Sequence, residues 1–101
     1  MASSEPQVIE VVTLKVKAGV SLEAFREIDA AVGREHVAQQ PGFISRESAS
    51  SGESDWLVIV HWRSAEDADA SMASFGNAAA AKPFMDSIDA TSMHMKRYVR
   101  D

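Results

Sequence analysis

The chain has 101 residues, of which 46% are hydrophobic and 25% charged, and this balance is typical of one folded domain rather than a disordered chain. The formal net charge of −5 disfavours nucleic acid as a partner, because phosphate binding needs a basic face. The absence of cysteine excludes disulfides, thiolate nucleophiles and cysteine-ligated metals. No apolar run reaches membrane-spanning length and no signal-peptide pattern is present, so we expect a cytoplasmic protein with no membrane partner.

The patterning of apolar and polar residues predicts a disordered lead-in at residues 1–7 and a single domain at residues 8–101. The predicted elements are a strand at 8–17, a helix at 22–39, strands at 43–50 and 56–63, a helical region at 65–88 and a strand at 91–99. This β-α-β-β-α-β order is the signature of an α+β fold, the ferredoxin-like sandwich with a four-stranded antiparallel sheet.

The first and third predicted strands are apolar on both faces. In the first strand, Val8 and Leu14 share one face, whereas Ile9 and Val11 share the other. Strands of this kind lie in the middle of a sheet that is covered on both sides. Helices can cover one of these faces, so the other face needs a different partner.

Local signals predict where the helices begin and end. Ser21 is a predicted N-cap of the first helix, and the Pro-Gly pair at 41–42 ends the helix. Ser64 resembles the first residue of a capping box at the start of the second helical region. Pro83 is expected to interrupt that region and to leave a short helical turn before the last strand.

Three segments of the chain carry a family resemblance. They are the strand–glycine–helix opening VVTLKVKAGVSLEAF, the QPGF sequence at residues 40–43 and the HWRS sequence at residues 61–64. With these segments the chain resembles the antibiotic-biosynthesis-monooxygenase-like family of dimeric α+β barrel proteins, which commonly have a Trp at the end of the third strand. The resemblance covers the chain from about residue 8 to about residue 99.

The resemblance implies a homodimer whose two sheets pack face to face, which would supply the missing cover for the sheet. It also implies a pocket for a small molecule between the sheet and the helices of each protomer. Members of the family include cofactor-independent monooxygenases that oxidise polycyclic phenols. We therefore expect such an enzyme, acting on a small apolar or aromatic molecule, or else a non-catalytic small-molecule-binding or dimeric accessory protein with the same fold.

Heme-degrading enzymes form another branch of this family, and the sequence departs from their pattern. Those enzymes resemble one another in an Asn on the first strand and in a Trp and a heme-ligating His on the second helical region. Residues 8–17 contain no Asn, and residues 65–88 contain neither His nor Trp. Heme degradation is therefore not expected, and no cofactor is predicted.

Four titratable side chains are candidate catalytic residues, each as a proton acceptor. Asp29 and His36 lie two turns apart near the inward face of the first helix, where one ligand can meet both. Glu10 and His61 interrupt the apolar faces of the two central strands. Each residue also has a structural explanation: the histidines can pack in the core, Asp29 can lie at the solvent edge, and Glu10 can pair with a Lys or Arg of the last strand.

Five apolar residues are predicted to contact the ligand. They lie on the inward faces of the helices and on the third strand: Phe25, Val32, Ile59, Met72 and Phe84. The helical ones are also simply explained as core, although methionine-lined pockets adapt to flat apolar ligands. The three histidines show no short metal-ligand spacing, so no metal site is predicted.

Overall fold

The computed structural model describes residues 6–101 of the chain. Residues 1–5 of the predicted lead-in lie outside the described residues. At the end of that lead-in, the carbonyl oxygen of Gln7 accepts a 2.9 Å hydrogen bond from the backbone N–H of Arg100. This bond places Gln7 beside the end of the last strand.

The described residues form four strands and three α-helices in the predicted order. They are β1 (Val8–Val16), α1 (Leu22–Glu35), β2 (Phe43–Ser50), β3 (Asp55–Trp62), α2 (Ala65–Phe75), α3 (Ala81–Asp86) and β4 (Ile88–Val99). A short 3-10 turn at Val37–Gln39 follows α1. The predicted ferredoxin-like α+β fold is therefore confirmed.

The strands form one antiparallel sheet in the order β2-β3-β1-β4. The strands β1 and β3 are central, as their apolar faces predict, and β2 and β4 are the edges. Strand β4 begins earlier than the sequence predicts, because Ile88 pairs with Val16 after a shift of register between Thr13 and Lys15. Ile88 is only 1% exposed, and its pairing with Val16 holds the end of β1 in the sheet.

The helix ends follow the capping signals. The hydroxyl of Ser21 accepts a 3.0 Å bond from the Ala24 N–H, and the hydroxyl of Ser64 accepts a 3.1 Å bond from the Asp67 N–H. The predicted break before the last strand separates α2 from α3. Pro83 lies in the first turn of α3, where an N–H has no partner within the helix and its absence costs nothing.

The first helix ends sooner than predicted. Its α-helical part stops at Glu35, and the backbone tightens into the 3-10 turn ahead of the Pro-Gly pair at 41–42. His36 is therefore the junction between the two helical segments, with φ −125° and ψ −65°. This junction turns the His36 side chain into the protein, where it is 5% exposed.

The core lies between the sheet and the helices. Phe25, at 0% exposure, packs edge-on against Trp56 with ring centroids 5.0 Å apart and contacts Phe84 at 5.3 Å. These rings fill the space between α1, β3 and α3. The apolar cluster continues along β1 and β3 through the residues that face the helices: Val8, Leu14, Val16, Val58, Val60 and Trp62.

The opposite face of the sheet carries apolar residues that the described helices do not cover. Register pairs Ile9 with His61 and Val11 with Ile59 on this face, which we call the open face. All four side chains are half-buried by their neighbours on the sheet. An apolar sheet face of this kind is typical of a surface that binds a partner.

Candidate functional site

A cavity of about 270 Å³ lies between the helix-covered face of the sheet and the three helices. Most of its wall is apolar, with residues from β1, β3, β4 and all three helices: Val12, Val32, Val60, Met72, Phe84 and Met93. Polar or charged groups in the wall come from Glu10, His36, Arg46, Trp62 and Ser71. A mostly apolar cavity with a few polar groups is the usual form of a small-molecule site.

The cavity brings together five of the nine side chains that the sequence singles out. Glu10, His36, Val32, Met72 and Phe84 all line it. The cavity therefore lies where the family resemblance implies a pocket, between the sheet and the helices.

The other four predicted site residues do not line this cavity. Phe25 is enclosed by the aromatic core, and the Asp29 carboxylate is covered by the Arg46 side chain. Ile59 and His61 lie on the open face, because their neighbours Val60 and Trp62 point towards the helices and successive residues of a strand face opposite ways. Ile59 and His61 therefore do not contribute to this cavity.

His36 forms a hydrogen-bonded contact between the end of α1 and α2. Its Nε2 atom lies 2.9 Å from the Ser74 hydroxyl, which also lies 3.1 Å from the carbonyl oxygen of Ser71. When the Ser74 hydroxyl donates its proton to the Ser71 carbonyl oxygen, it accepts a hydrogen bond from the Nε2–H of His36. In this tautomer the lone pair of His36 is on Nδ1 and is free. Nδ1 is buried and has no hydrogen-bond partner among residues 6–101. The ring also packs edge-on against Phe75, with centroids 5.7 Å apart.

Burial lowers the pKa of His36 below its ordinary value of 6.5, because a charged imidazolium is poorly solvated inside the protein. The side chain is therefore held in the neutral form in which one ring nitrogen can accept a proton. A neutral imidazole with a free lone pair is the arrangement that a general base requires.

The same lowered pKa predicts how the stability depends on pH. The unfolded chain takes up a proton on His36 at a higher pH than the folded chain, so the free energy of unfolding should fall as the pH drops through 6.5. Urea unfolding at several pH values measures this dependence. His36→Asn should remove part of it, and a variant that keeps the full pH dependence of the wild type would contradict the role of His36.

Glu10 is the second titratable group in the wall that can accept a proton. Its Oε2 atom accepts a 3.1 Å hydrogen bond from Arg97 Nε, and Arg97 Nη1 bonds the carboxylate of Asp69 on α2. These contacts raise the pKa of Arg97, first through the bond that it donates to Asp69 and then through the one that it donates to Glu10. The structural pairing expected for Glu10 is present, and it joins β1, β4 and α2.

Asp29 and Arg46 form a buried ion pair beside the cavity. The two guanidinium nitrogens Nη2 and Nη1 lie 2.7 and 3.2 Å from the two carboxylate oxygens, and the Ser48 hydroxyl donates to Oδ2 at 2.5 Å. The side chains of Arg46 and Asp29 are only 10% and 5% exposed. Asp29 is therefore fully engaged by side chains of β2, and Arg46 rather than Asp29 reaches the cavity wall.

Arg46, Trp62 and Ser71 are polar residues of the wall that are not among the predicted site residues. Arg46 lies on β2, whose weak apolar pattern gave no sign that one face is buried. Trp62 pairs in the sheet with Val8, whose side chain is buried beneath the helices, and only this register shows which face it occupies. The Nε1 of Trp62 and the Nε of Arg46 are both buried without a hydrogen-bond partner among residues 6–101.

A wider groove of about 630 Å³ lies at one end of the open face, around Thr13, Leu57 and His94. It contains none of the nine predicted site residues. Within residues 6–101, no group of three or more His, Asp or Glu side chains is arranged to hold a metal ion. None of the helices in this part of the chain has the length and apolar character needed to cross a bilayer.

Comparison with known families agrees with this architecture. The family model described as antibiotic biosynthesis monooxygenase matches residues 7–99. The chain belongs to this family. No curated protein sequence matches the chain closely enough to assign an activity.

Solved structures of other proteins share the fold of this family member. SnoaB from Streptomyces nogalater, a cofactor-independent oxygenase, superimposes with a TM-score of 0.79 at 15% identity, over 95% of this chain and 94% of its own. A conserved protein from Methanosarcina mazei gives a TM-score of 0.73 at 12% identity, covering 97% and 96%. A protein from Pseudomonas aeruginosa gives 0.70 at 12% identity, covering 99% of each chain. At these identities the likeness shows the fold.

Proposed function

We propose that this member of the antibiotic biosynthesis monooxygenase family is a cofactor-independent oxygenase that acts on a small apolar or aromatic molecule. The observation that carries the proposal is the mostly apolar cavity with the neutral, partly unpaired imidazole of His36 in its wall. The likeness in fold to the oxygenase SnoaB supports the same reaction class.

The cavity indicates the size and character of the substrate. Its volume of about 270 Å³ falls just below the range of about 300–1,000 Å³ that is usual for drug-sized ligands. Met72 and Met85 in the wall are 46% and 37% exposed, and such unbranched side chains adjust to flat ligands. A compact aromatic molecule is therefore the proposed substrate.

In the proposed reaction, His36 Nδ1 accepts a proton from an acidic carbon or hydroxyl group of the substrate. The delocalised anion then transfers electrons to dioxygen, and the oxygen adds to the deprotonated carbon or, when a hydroxyl group has lost the proton, to a ring CH conjugated with it. For a methylene carbon the balance is CH2 + O2 → C=O + H2O, in which one oxygen atom enters the product and the other leaves as water. Because Nδ1 is buried, the ligand must displace part of the wall to reach it.

Oxygen uptake by the purified protein tests this proposal. A panel of compact substrates with acidic protons, such as α-naphthol, β-tetralone and anthrone, is incubated with the protein without any added cofactor. We expect at least one of them to be consumed with stoichiometric oxygen uptake well above the rate without protein. Saturable binding of the panel without any oxygen uptake would contradict the oxygenase proposal.

A second candidate function is a non-catalytic small-molecule-binding protein with the same cavity. The observation that favours it is that both carboxylates predicted as bases, Glu10 and Asp29, are already paired with arginines. Binding without oxygen uptake in the experiment above would support this candidate over the oxygenase.

We further propose that two copies of the chain form a homodimer through the open face. The support is the apolar centre of that face, which includes Val11 and Ile59 and which no described helix covers. Ile59→Lys places a charge at this centre and should shift the protein to a monomer in light scattering at micromolar concentration. Ala73→Lys, on the exposed side of α2, is the control and should leave a dimer; a monomeric wild type would contradict the proposal.

A further inference from the structure

We infer that Arg46 is a ligand-binding residue of the cavity and that its Nε–H selects molecules with a neutral acceptor oxygen, such as an aromatic ketone. This inference shares with the proposed function only the assumption that the ligand occupies this cavity.

The guanidinium of Arg46 is held in one place by the protein. Asp29 accepts bonds from both terminal nitrogens through its carboxylate, and its backbone oxygen lies 3.4 Å from Nη1. Ser48 fixes the carboxylate in turn through its 2.5 Å bond. A donor fixed in this way is oriented before a ligand binds, so little side-chain entropy is lost on binding.

A glycine in α1 makes room for this guanidinium. A Cβ at Gly33 would lie 2.9 Å from Arg46 Nη1, closer than such atoms normally approach. Glycine inside a helix lowers helix stability, and here it lets the side chain of a neighbouring strand lie against the helix. Three features therefore fix the position of Arg46. They are its place on β2, the Asp29 carboxylate on α1 and the space left by Gly33 on the same helix.

The Nε–H of Arg46 has no acceptor among residues 6–101, although the side chain is nine-tenths buried. A buried donor without a partner is rare in folded proteins and costs free energy. Trp62 lines the same cavity, and its buried indole N–H also has no acceptor among residues 6–101. Both groups can only donate, so the ligand that satisfies them carries acceptor oxygens.

The charges around the cavity favour a neutral acceptor over an anion. The positive charge of Arg46 is already paired with Asp29, and that of Arg97 is paired with Glu10. A ligand carboxylate would add a negative charge beside these two carboxylates with no unpaired cation in the described wall to compensate for it. A ketone oxygen accepts the Nε–H bond without this cost once the ligand displaces the part of the wall that buries Nε.

Calorimetric titration with matched probes tests the inference. The probes are α-tetralone, tetralin, which has a methylene in place of the carbonyl, and α-naphthoate, which carries a carboxylate. A hydrogen bond from a charged donor predicts about tenfold to a hundredfold tighter binding of α-tetralone than of tetralin. The weakest binding is expected for α-naphthoate. Equal affinity for α-tetralone and tetralin, no binding of α-tetralone, or tightest binding of α-naphthoate would overturn the inference.

A variant of Arg46 tests whether this residue causes the preference for α-tetralone over tetralin. Arg46→Lys keeps a positive charge beside Asp29 but has no Nε–H, so the preference for α-tetralone over tetralin should fall towards parity. Arg34→Lys, at an exposed pair with Glu35, is the matched control and should keep the preference. An unchanged preference in Arg46→Lys would overturn the inference, and the wild-type comparison stands by itself if that variant does not fold.

The oxygenase proposal and the proposed role of Arg46 can be contradicted independently of each other. A protein that prefers α-tetralone but consumes no oxygen with any substrate would contradict the oxygenase proposal and support the role of Arg46. A protein that consumes oxygen but binds α-tetralone and tetralin equally would contradict the role of Arg46 and support the oxygenase proposal.

Discussion

Asp29→Ala is expected to lower the free energy of unfolding by about 3–5 kcal/mol, because it leaves the Arg46 guanidinium buried without its counter-charge. The loss includes two charge-assisted hydrogen bonds and the bond from Ser48. Urea denaturation at neutral pH measures the change. Because the buried charge is the cause, adding Arg46→Met to Asp29→Ala should recover part of the lost stability.

The matched control for this experiment is Asp55→Ala. Asp55 pairs with Lys15 at 3.1 Å, but both side chains are more than half exposed. Exposed pairs of this kind contribute at most about 1 kcal/mol, so the control should lose little. A similar small loss for both variants would show that the Asp29–Arg46 pair is solvated in solution and not part of a built site.

His36→Asn is expected to reduce the rate of substrate-dependent oxygen uptake by about 100-fold to 10,000-fold, the usual contribution of a general base. Asparagine keeps a hydrogen-bonding side chain near Ser74 but has no nitrogen that accepts a proton at neutral pH. Arg34→Lys, at the exposed pair with Glu35 on the same helix, is the control and should leave the rate unchanged.

The pH profile of the wild type provides a second readout. Since burial lowers the pKa of His36 below 6.5, the rate should fall on the acid side with a midpoint below that value. If His36→Asn retains the wild-type rate, the histidine is structural, and Glu10→Gln becomes the next test because Glu10 is the other proton acceptor in the wall.

The fold could be predicted from the sequence because each element carries consistent local signals. Ser21 and Ser64 begin helices, and both faces of β1 and β3 are apolar, which places those strands in the middle of the sheet. The end of α1 could not be predicted in the same way. The helical spacing of apolar residues continues as far as His36, and the switch to a 3-10 turn depends on tertiary packing.

The candidate site could be predicted only in part. Sequence periodicity places His36 and Val32 on the inward face of α1, and both line the cavity. It does not show which face of β3 meets the helices, because His61 and Trp62 are both compatible with a core position. Strand pairing settles that choice in favour of Trp62.

The role of Arg46 also depended on strand pairing. Asp29, on α1, was a candidate base as long as no cation on a neighbouring strand was known to neutralise its charge. The register of β2 against β3 puts Arg46 opposite Val60, on the face that α1 covers, and thereby beside Asp29. Contacts between residues far apart in sequence cannot be deduced from the local pattern around either residue.

We propose that the cavity between the sheet and the helices is the ligand-binding site. The chain has two tryptophans: Trp62 lines this cavity, whereas Trp56 packs in the core against Phe25. Titration with α-naphthol, followed through the two indole N–H signals by NMR, distinguishes them. We predict a saturable shift of the Trp62 signal with the Trp56 signal nearly unchanged. A shift of the Trp56 signal alone, or no shift of either signal, would contradict the claim.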